Sequence, residues 1–200
     1  AQLGRRMFFD PSLSASGRQS CASCHSPAHA YGPPNGLAAQ MGGPDLKHSG
    51  YRPPPSLMYL DHQPNFSIGP DSGDNEAAVN LAQLALQATH TVRAQKTAGV
   101  AAATPAMVPQ GGLFWDGRVD TLQAQASGPL FNPVEMANPD IDAGADQLQH
   151  AAYRDSFVQL FGPRIFNDKN LAVAEAMFAL ARFQVEDSSF HPYTSKYDRW

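Results

Sequence analysis

The chain has 200 residues, 42% of them hydrophobic, enough for a sizeable core in one large domain or two small ones. Its 14 Lys plus Arg against 18 Asp plus Glu give a formal net charge of −4. With no basic cluster, nucleic-acid binding is excluded as a working hypothesis, and no stretch approaches the roughly 20 apolar residues that cross a bilayer.

In chain order, the opening AQLGRRMFFDP carries no apolar h-region, so any export signal is expected to have been removed. Apolar residues at 3, 7 and 8 predict a short helix that Asp10-Pro11 ends. Residues 20–25 start another. The clearest helix is 74–95, with Asp74 as N-cap and Val79, Leu81, Leu84 and Leu86 on its apolar side. A short helix at 119–127 is closed by Gly128-Pro129. Residues 142–162 give one or two more, stopped by Gly162-Pro163. The last helix, 170–187, sets Val173, Met177, Leu180 and Ala181 along one stripe.

Few segments read as strands. The 17 prolines exceed the roughly 5% of an average chain, and most fall within 27–70 and 105–139, which predicts long ordered loops. The pattern is all-α with long irregular Pro/Gly-rich loops. No repeat or linker divides it, so one domain over 1–200 is expected. A large bound cofactor would organise so loop-rich a chain.

Both cysteines lie in SCASCHSPAHA, with Cys21 and Cys24 three apart and His25 following at once. Three chemistries compete for this cluster. A zinc site needs four ligands and would have to borrow distant carboxylates or histidines. A thioredoxin-like redox pair expects a βαβ setting, which is absent. Covalent haem c attachment uses every residue present: one helical turn separates two thiols that form thioethers with the haem vinyl groups, and His25 becomes an axial iron ligand. Haem c, one per chain, is the favoured reading, and its attachment chemistry implies an exported, periplasmic-type location.

A simple cytochrome c caps its iron with methionine and only passes electrons. Met41, Met58 and Met136 are candidates for that cap, each with ordinary core packing as the plainer role. A single-haem carrier commonly needs far fewer residues. The stretch 110–139, QGGLFWDGRVDTLQAQASGPLFNPVEMANP, holds an aromatic pair, a tight Asp-Gly turn, Gln125 in a short helix and Glu135 in a proline-flanked loop. A loop carboxylate capping nearby amides is the plainer reading of Glu135.

LGRRMFFDPSLSASGRQSCASCHSPAHAYG followed by GGLFWDGRVDTLQAQASGPLFNPVEM resembles the N-terminal half of the bacterial di-haem cytochrome c peroxidases and their MauG-type relatives. ARFQVEDSSFHPYTSKYDRW is similar to the segment leading into that family's second haem domain. The resemblance implies a cytochrome c-like haem domain with His25 as proximal ligand and Trp115 on the electron path between haems. It places Gln125, Pro129 and Glu135 in the distal pocket, where a carboxylate over an open iron site can take and return a proton during peroxide cleavage and a neutral amide can hold the peroxide without protonating it. It implies a peroxidase that reduces hydrogen peroxide to water through a high-valent iron-oxo state, fed by a small periplasmic cytochrome c or copper protein. The alternatives are a MauG-type oxidase acting on a partner's aromatic residues and a single-haem electron carrier.

Family members hold a distal histidine on a mobile loop near residues 41–55, which makes His48 the candidate sixth ligand. His62, His90, His150 and His191 read as surface or packing residues, and His29 as structural, near the cofactor's edge. The family's interdomain calcium site expects an Asn before a Pro-Ser/Thr-Leu segment. Pro53-Pro54-Pro55-Ser56-Leu57 lacks it, so calcium is not expected from this chain. No second CxxCH is present. A second haem-bearing domain or chain is therefore the expected partner, with Trp115 facing it.

Overall fold

The computed structural model describes residues 1–70 and 107–199. The helix expected over 74–95, with His90 on it, lies outside the described residues. The chain divides into two units, Ala1–Phe66 with Gly111–Trp200, and Ser67–Gln110.

The first unit is mostly helical. Its α-helices are α1 (Gln2–Phe8), α2 (Cys21–Cys24), α3 (Leu122–Phe131), α4 (Ile141–His150), α5 (Arg154–Phe161) and α6 (Lys169–Glu186). α6 is the central element and packs against α1, α3 and α4. Its stripe of Ala172, Val173, Ala176, Met177, Ala179 and Leu180 is buried, as the 3.6-residue period demands. α1 crosses it closely because Gly4 has no side chain: a Cβ there would collide with the Ala179 carbonyl. Asp168 and Asp140 cap α6 and α4, accepting from Leu171 N at 3.0 Å and Ala143 N at 2.8 Å.

α3 departs from its expected end. Gly128-Pro129 does not close it; the helix runs on to Phe131. Pro129 offers no N–H to the Gln125 carbonyl, a loss that normally interrupts a helix. The turn is held instead by Asn132 N donating to the Gly128 carbonyl at 3.0 Å and by the buried Asn138 amide donating to the Leu130 carbonyl at 3.0 Å. Gly128 is required where it stands, since a Cβ would meet the Phe114 ring at 2.8 Å.

The core is aromatic behind α2. Phe8 meets Tyr31, Phe183 and Phe190 edge-on, and Tyr31 stacks on Phe190 with ring centroids 3.8 Å apart. Helices are not the whole of the regular structure. β1 (Met41–Gly42) pairs antiparallel with β2 (His48–Ser49) in this unit. In the second unit β3 (Ser67–Pro70) pairs antiparallel with β4 (Met107–Gln110), Ser67 opposite Gln110. Ladders of two and four residues are too short to show alternation, so the all-α expectation is corrected to mostly helical with two small sheets.

Candidate functional site

α2 is one turn long and is held by its cap. The Ser23 hydroxyl accepts from Ser20 N at 3.0 Å while the Ser20 side chain receives the Ser23 N–H, a serine version of the capping box. This turn points Cys21 and Cys24 into the cavity described below as two free thiols. His25 follows, its N–H donating to the Cys21 carbonyl at 2.9 Å.

The imidazole is oriented from behind. His25 Nδ1 lies 3.1 Å from the Tyr31 carbonyl. A carbonyl only accepts, so Nδ1 carries the proton and Nε2 keeps its lone pair. Burial pushes the His25 pKa down, with the Tyr31 and Pro55 carbonyls opposing, which favours the neutral ring a metal needs. Tyr31 reaches this position in the left-handed region at φ 53°. Its stack on Phe190 and a 2.6 Å hydrogen bond between its hydroxyl and Ser189 fix it there.

The cavity is about 520 Å³, a size suited to a large cofactor. Leu13, Leu57, Leu130, Leu148, Met177 and Leu180 give it an apolar lining. Cys21, Cys24, His25, Trp115, Gln125, Pro129 and Glu135 all line it too, so one space brings together two segments about a hundred residues apart. His48 is not among the lining residues. It is exposed on β2, 3.5 Å from Asp45, with its ring over Gly43. Of the three methionines, Met136 lines the cavity, while Met41 and Met58 do not.

Glu135 sits in a tight turn built by Asn132. Glu135 N donates to the Asn132 carbonyl at 3.0 Å, and Asn132 Nδ2 donates to Glu135 Oε1 at 2.7 Å. Burial raises the Glu135 pKa, opposed by that hydrogen bond and by the Arg118 charge. β1 supports the turn from outside. Gly43 N donates to the Glu135 carbonyl at 2.8 Å, and a Cβ at Gly42 would run into the Val134 carbonyl. Trp115 is 60% exposed, its Nε1 donating to the Pro53 carbonyl at 2.8 Å. Beside it Arg118 lies 3.7 Å over the Phe114 ring and pairs with Asp116 at 2.7 Å.

Burial pushes Cys21 up to about 12 and raises Cys24 as well. A redox dithiol needs the opposite, a depressed thiol pKa. Among the described residues no group of three or more Cys, His, Asp or Glu is placed to hold a metal ion. Two neutral thiols and an Nε2 lone pair around a large apolar cavity fit a covalently attached haem. Sequence reasoning missed three contributors: Gln19, Asn132 and Gln184. Gln19 and Gln184 are buried, line the cavity, and each leaves its Oε1 without a partner. Asn132-Pro133, a turn-forming pair three residues before Glu135, was the one readable signal.

With that geometry in place, the family comparison is decisive: the profile described as di-haem cytochrome c peroxidase matches residues 1–200, and the chain belongs to that family. It is 37% identical over 204 residues to methylamine utilization protein MauG of Paracoccus denitrificans (strain Pd 1222), covering all of this chain and 43% of that protein. It is 28% identical over 202 residues to cytochrome c551 peroxidase of Nitrosomonas europaea, covering all of this chain and 42% of that protein. Among solved structures, a variant of the diheme peroxidase BthA from Burkholderia thailandensis E264 superposes with a TM-score of 0.74 at 30% identity. That match covers 100% of this chain and 42% of that one. The chain therefore spans less than half the length of the relatives it matches.

Proposed function

We propose that this chain forms the peroxidatic, haem c-bearing part of a peroxidase that reduces hydrogen peroxide to water in an exported, periplasmic setting. One observation carries the reading: Cys21, Cys24 and His25 share a single cavity with Gln125, Pro129 and Glu135. Cys21 and Cys24 would hold the haem as thioethers and His25 Nε2 would ligate its iron. Bound there, haem c supplies a redox-active iron able to take an oxygen ligand.

The protein's own groups do the rest. With the Asn132 amide on Glu135 Oε1, Oε2 would be the oxygen that accepts a proton from peroxide and returns it to the departing water. Partial burial raises the pKa of this carboxylate toward the working range of a proton shuttle. The Gln125 amide offers a hydrogen bond without a titrating proton. Trp115, exposed and anchored to Pro53, is the side chain suited to pass electrons to or from a second haem-bearing segment.

A MauG-type oxidase is the second reading, supported by the 37% identity to MauG of Paracoccus denitrificans. Matured protein with covalent haem, mixed with hydrogen peroxide and a reducing dye, separates the readings. Dye-dependent peroxide consumption supports the peroxidase. Peroxide consumption without dye turnover, with oxidation of an added aromatic partner, supports the oxidase. No reaction with peroxide at all, and an iron capped by Met136, would leave an electron carrier and overturn both.

A further inference from the structure

We propose that Gln19 is a positioning residue that ties the haem-attachment helix to the strand supporting Glu135, so that the proton shuttle is set relative to the cofactor it serves. The inference rests on the peroxidatic reading of the cavity. Gln19 is 5% exposed, buried two residues before Cys21. Its Nε2 carries two hydrogens and uses both. One goes to Cys24 Sγ at 3.4 Å, the other to the Met41 carbonyl at 3.2 Å. Sulfur remains a weak acceptor after a thioether forms, so haem attachment does not remove the acceptor of the first bond.

Met41 begins β1, and β1 is in direct contact with the shuttle. Gly42 lies against the Val134 and Glu135 backbone with no room for a side chain, and Gly43 N donates to the Glu135 carbonyl at 2.8 Å. A continuous path therefore runs from Cys24 through the Gln19 amide to Met41, Gly42, Gly43 and Glu135. The backbone N–H of Gln19, received by Ser14 Oγ at 3.3 Å, fixes the base of the strut. An apolar residue would fill the same space without leaving Gln19 Oε1 buried and unpaired, as it is here. The two N–H groups of the amide supply a connection that an apolar side chain could not.

Two variants test this in haem-loaded protein. Gln19→Leu removes the amide, and Gln19→Glu keeps its length but loses the donor. Both should keep covalent haem by intact mass and a helical circular dichroism spectrum. In both, hydrogen exchange at the Gly43 amide should accelerate at least about tenfold, since its bond to Glu135 loses its backing. Peroxide turnover should fall about tenfold in kcat with KM little changed. Adding Glu135→Gln to either variant should cost no more than Glu135→Gln alone, the non-additivity of residues that act as a unit. Unchanged Gly43 exchange, full activity in Gln19→Glu, or losses that simply multiply would each overturn the proposal. If the unsubstituted protein does not react with peroxide, the peroxidatic reading fails, while the Gly43 exchange still decides whether Gln19 is the strut.

Discussion

The segment that would attach the cofactor and the segment that would handle the substrate are built on different principles. Cys21 to His25 is contiguous: one helical turn and a serine cap place two thiols and an imidazole, with the aromatic stack of Tyr31 and Phe190 behind them. The Glu135 turn belongs to no helix. It takes its position from Asn132, from the unsubstituted backbone of Gly42 and from the Gly43 N–H, groups drawn from a loop and the end of β1, about ninety residues apart. A covalent anchor can be specified locally because bonds do the holding. A proton shuttle must be aimed, and aim is supplied by packing across the fold.

The largest effect is expected at the anchor. Replacing both Cys21 and Cys24 by Ser should abolish covalent haem, leaving any pigment extractable into acidified organic solvent. Each single substitution should leave one thioether and a weaker yield of attached haem. Intact mass spectrometry reads both outcomes. Haem that stays covalently bound without either thiol would remove the basis of the comparison.

Next comes the shuttle itself. Glu135→Gln preserves shape and the Asn132 contact but cannot exchange a proton, so peroxide turnover should fall roughly 10²–10⁴-fold at unchanged haem content. If turnover stays near that of the unsubstituted protein, Glu135 is a capping carboxylate and nothing more.

The contrast also explains what the sequence disclosed. The attachment motif was legible because its chemistry fixes its spacing. That Trp115, Gln125, Pro129 and Glu135 share a cavity with Cys21 was legible only through family resemblance, since no spacing rule brings residue 135 to residue 21. The helices of the first unit were readable from period and caps, with α3 misjudged at Gly128-Pro129 because Asn132 and Asn138 carry the last turn. β1 and the Gln19 amide were invisible: a two-residue ladder and a lone buried glutamine leave no pattern. His48, expected from the same resemblance, is exposed beside Asp45, and the structure does not bring it to the cavity.

Gly42→Ala probes the aiming function without touching chemistry. The added Cβ overlaps the Val134 carbonyl, so either the strand or the Glu135 turn must shift. Overpacking of this kind costs about 1–3 kcal/mol, measurable by urea denaturation. Turnover should fall while covalent haem stays complete, the reverse of a cysteine substitution. Equal loss of haem and activity would show that the two segments are not separable.

The smallest effect is a change of sign. Burial raises the Glu135 pKa above its ordinary 4.5, outweighing the Asn132 hydrogen bond and the Arg118 charge. The folded chain therefore binds this proton more tightly than the unfolded chain does. The stability so gained is fully present below pH 4.5 and is lost as pH rises through the raised value, because burying the ionised carboxylate is unfavourable. Gln at this position never ionises and still accepts from Asn132 Nδ2 through its carbonyl. In haem-loaded protein, Glu135→Gln should raise the urea midpoint at pH 7 and leave it nearly unchanged at about pH 4, where both side chains are neutral. A variant less stable than the parent at pH 7 would mean that Asn132 and Arg118 outweigh burial, with the carboxylate pKa depressed instead of raised. The expected pairing, activity lost and stability gained from one substitution, is what a carboxylate held in place for chemistry should show.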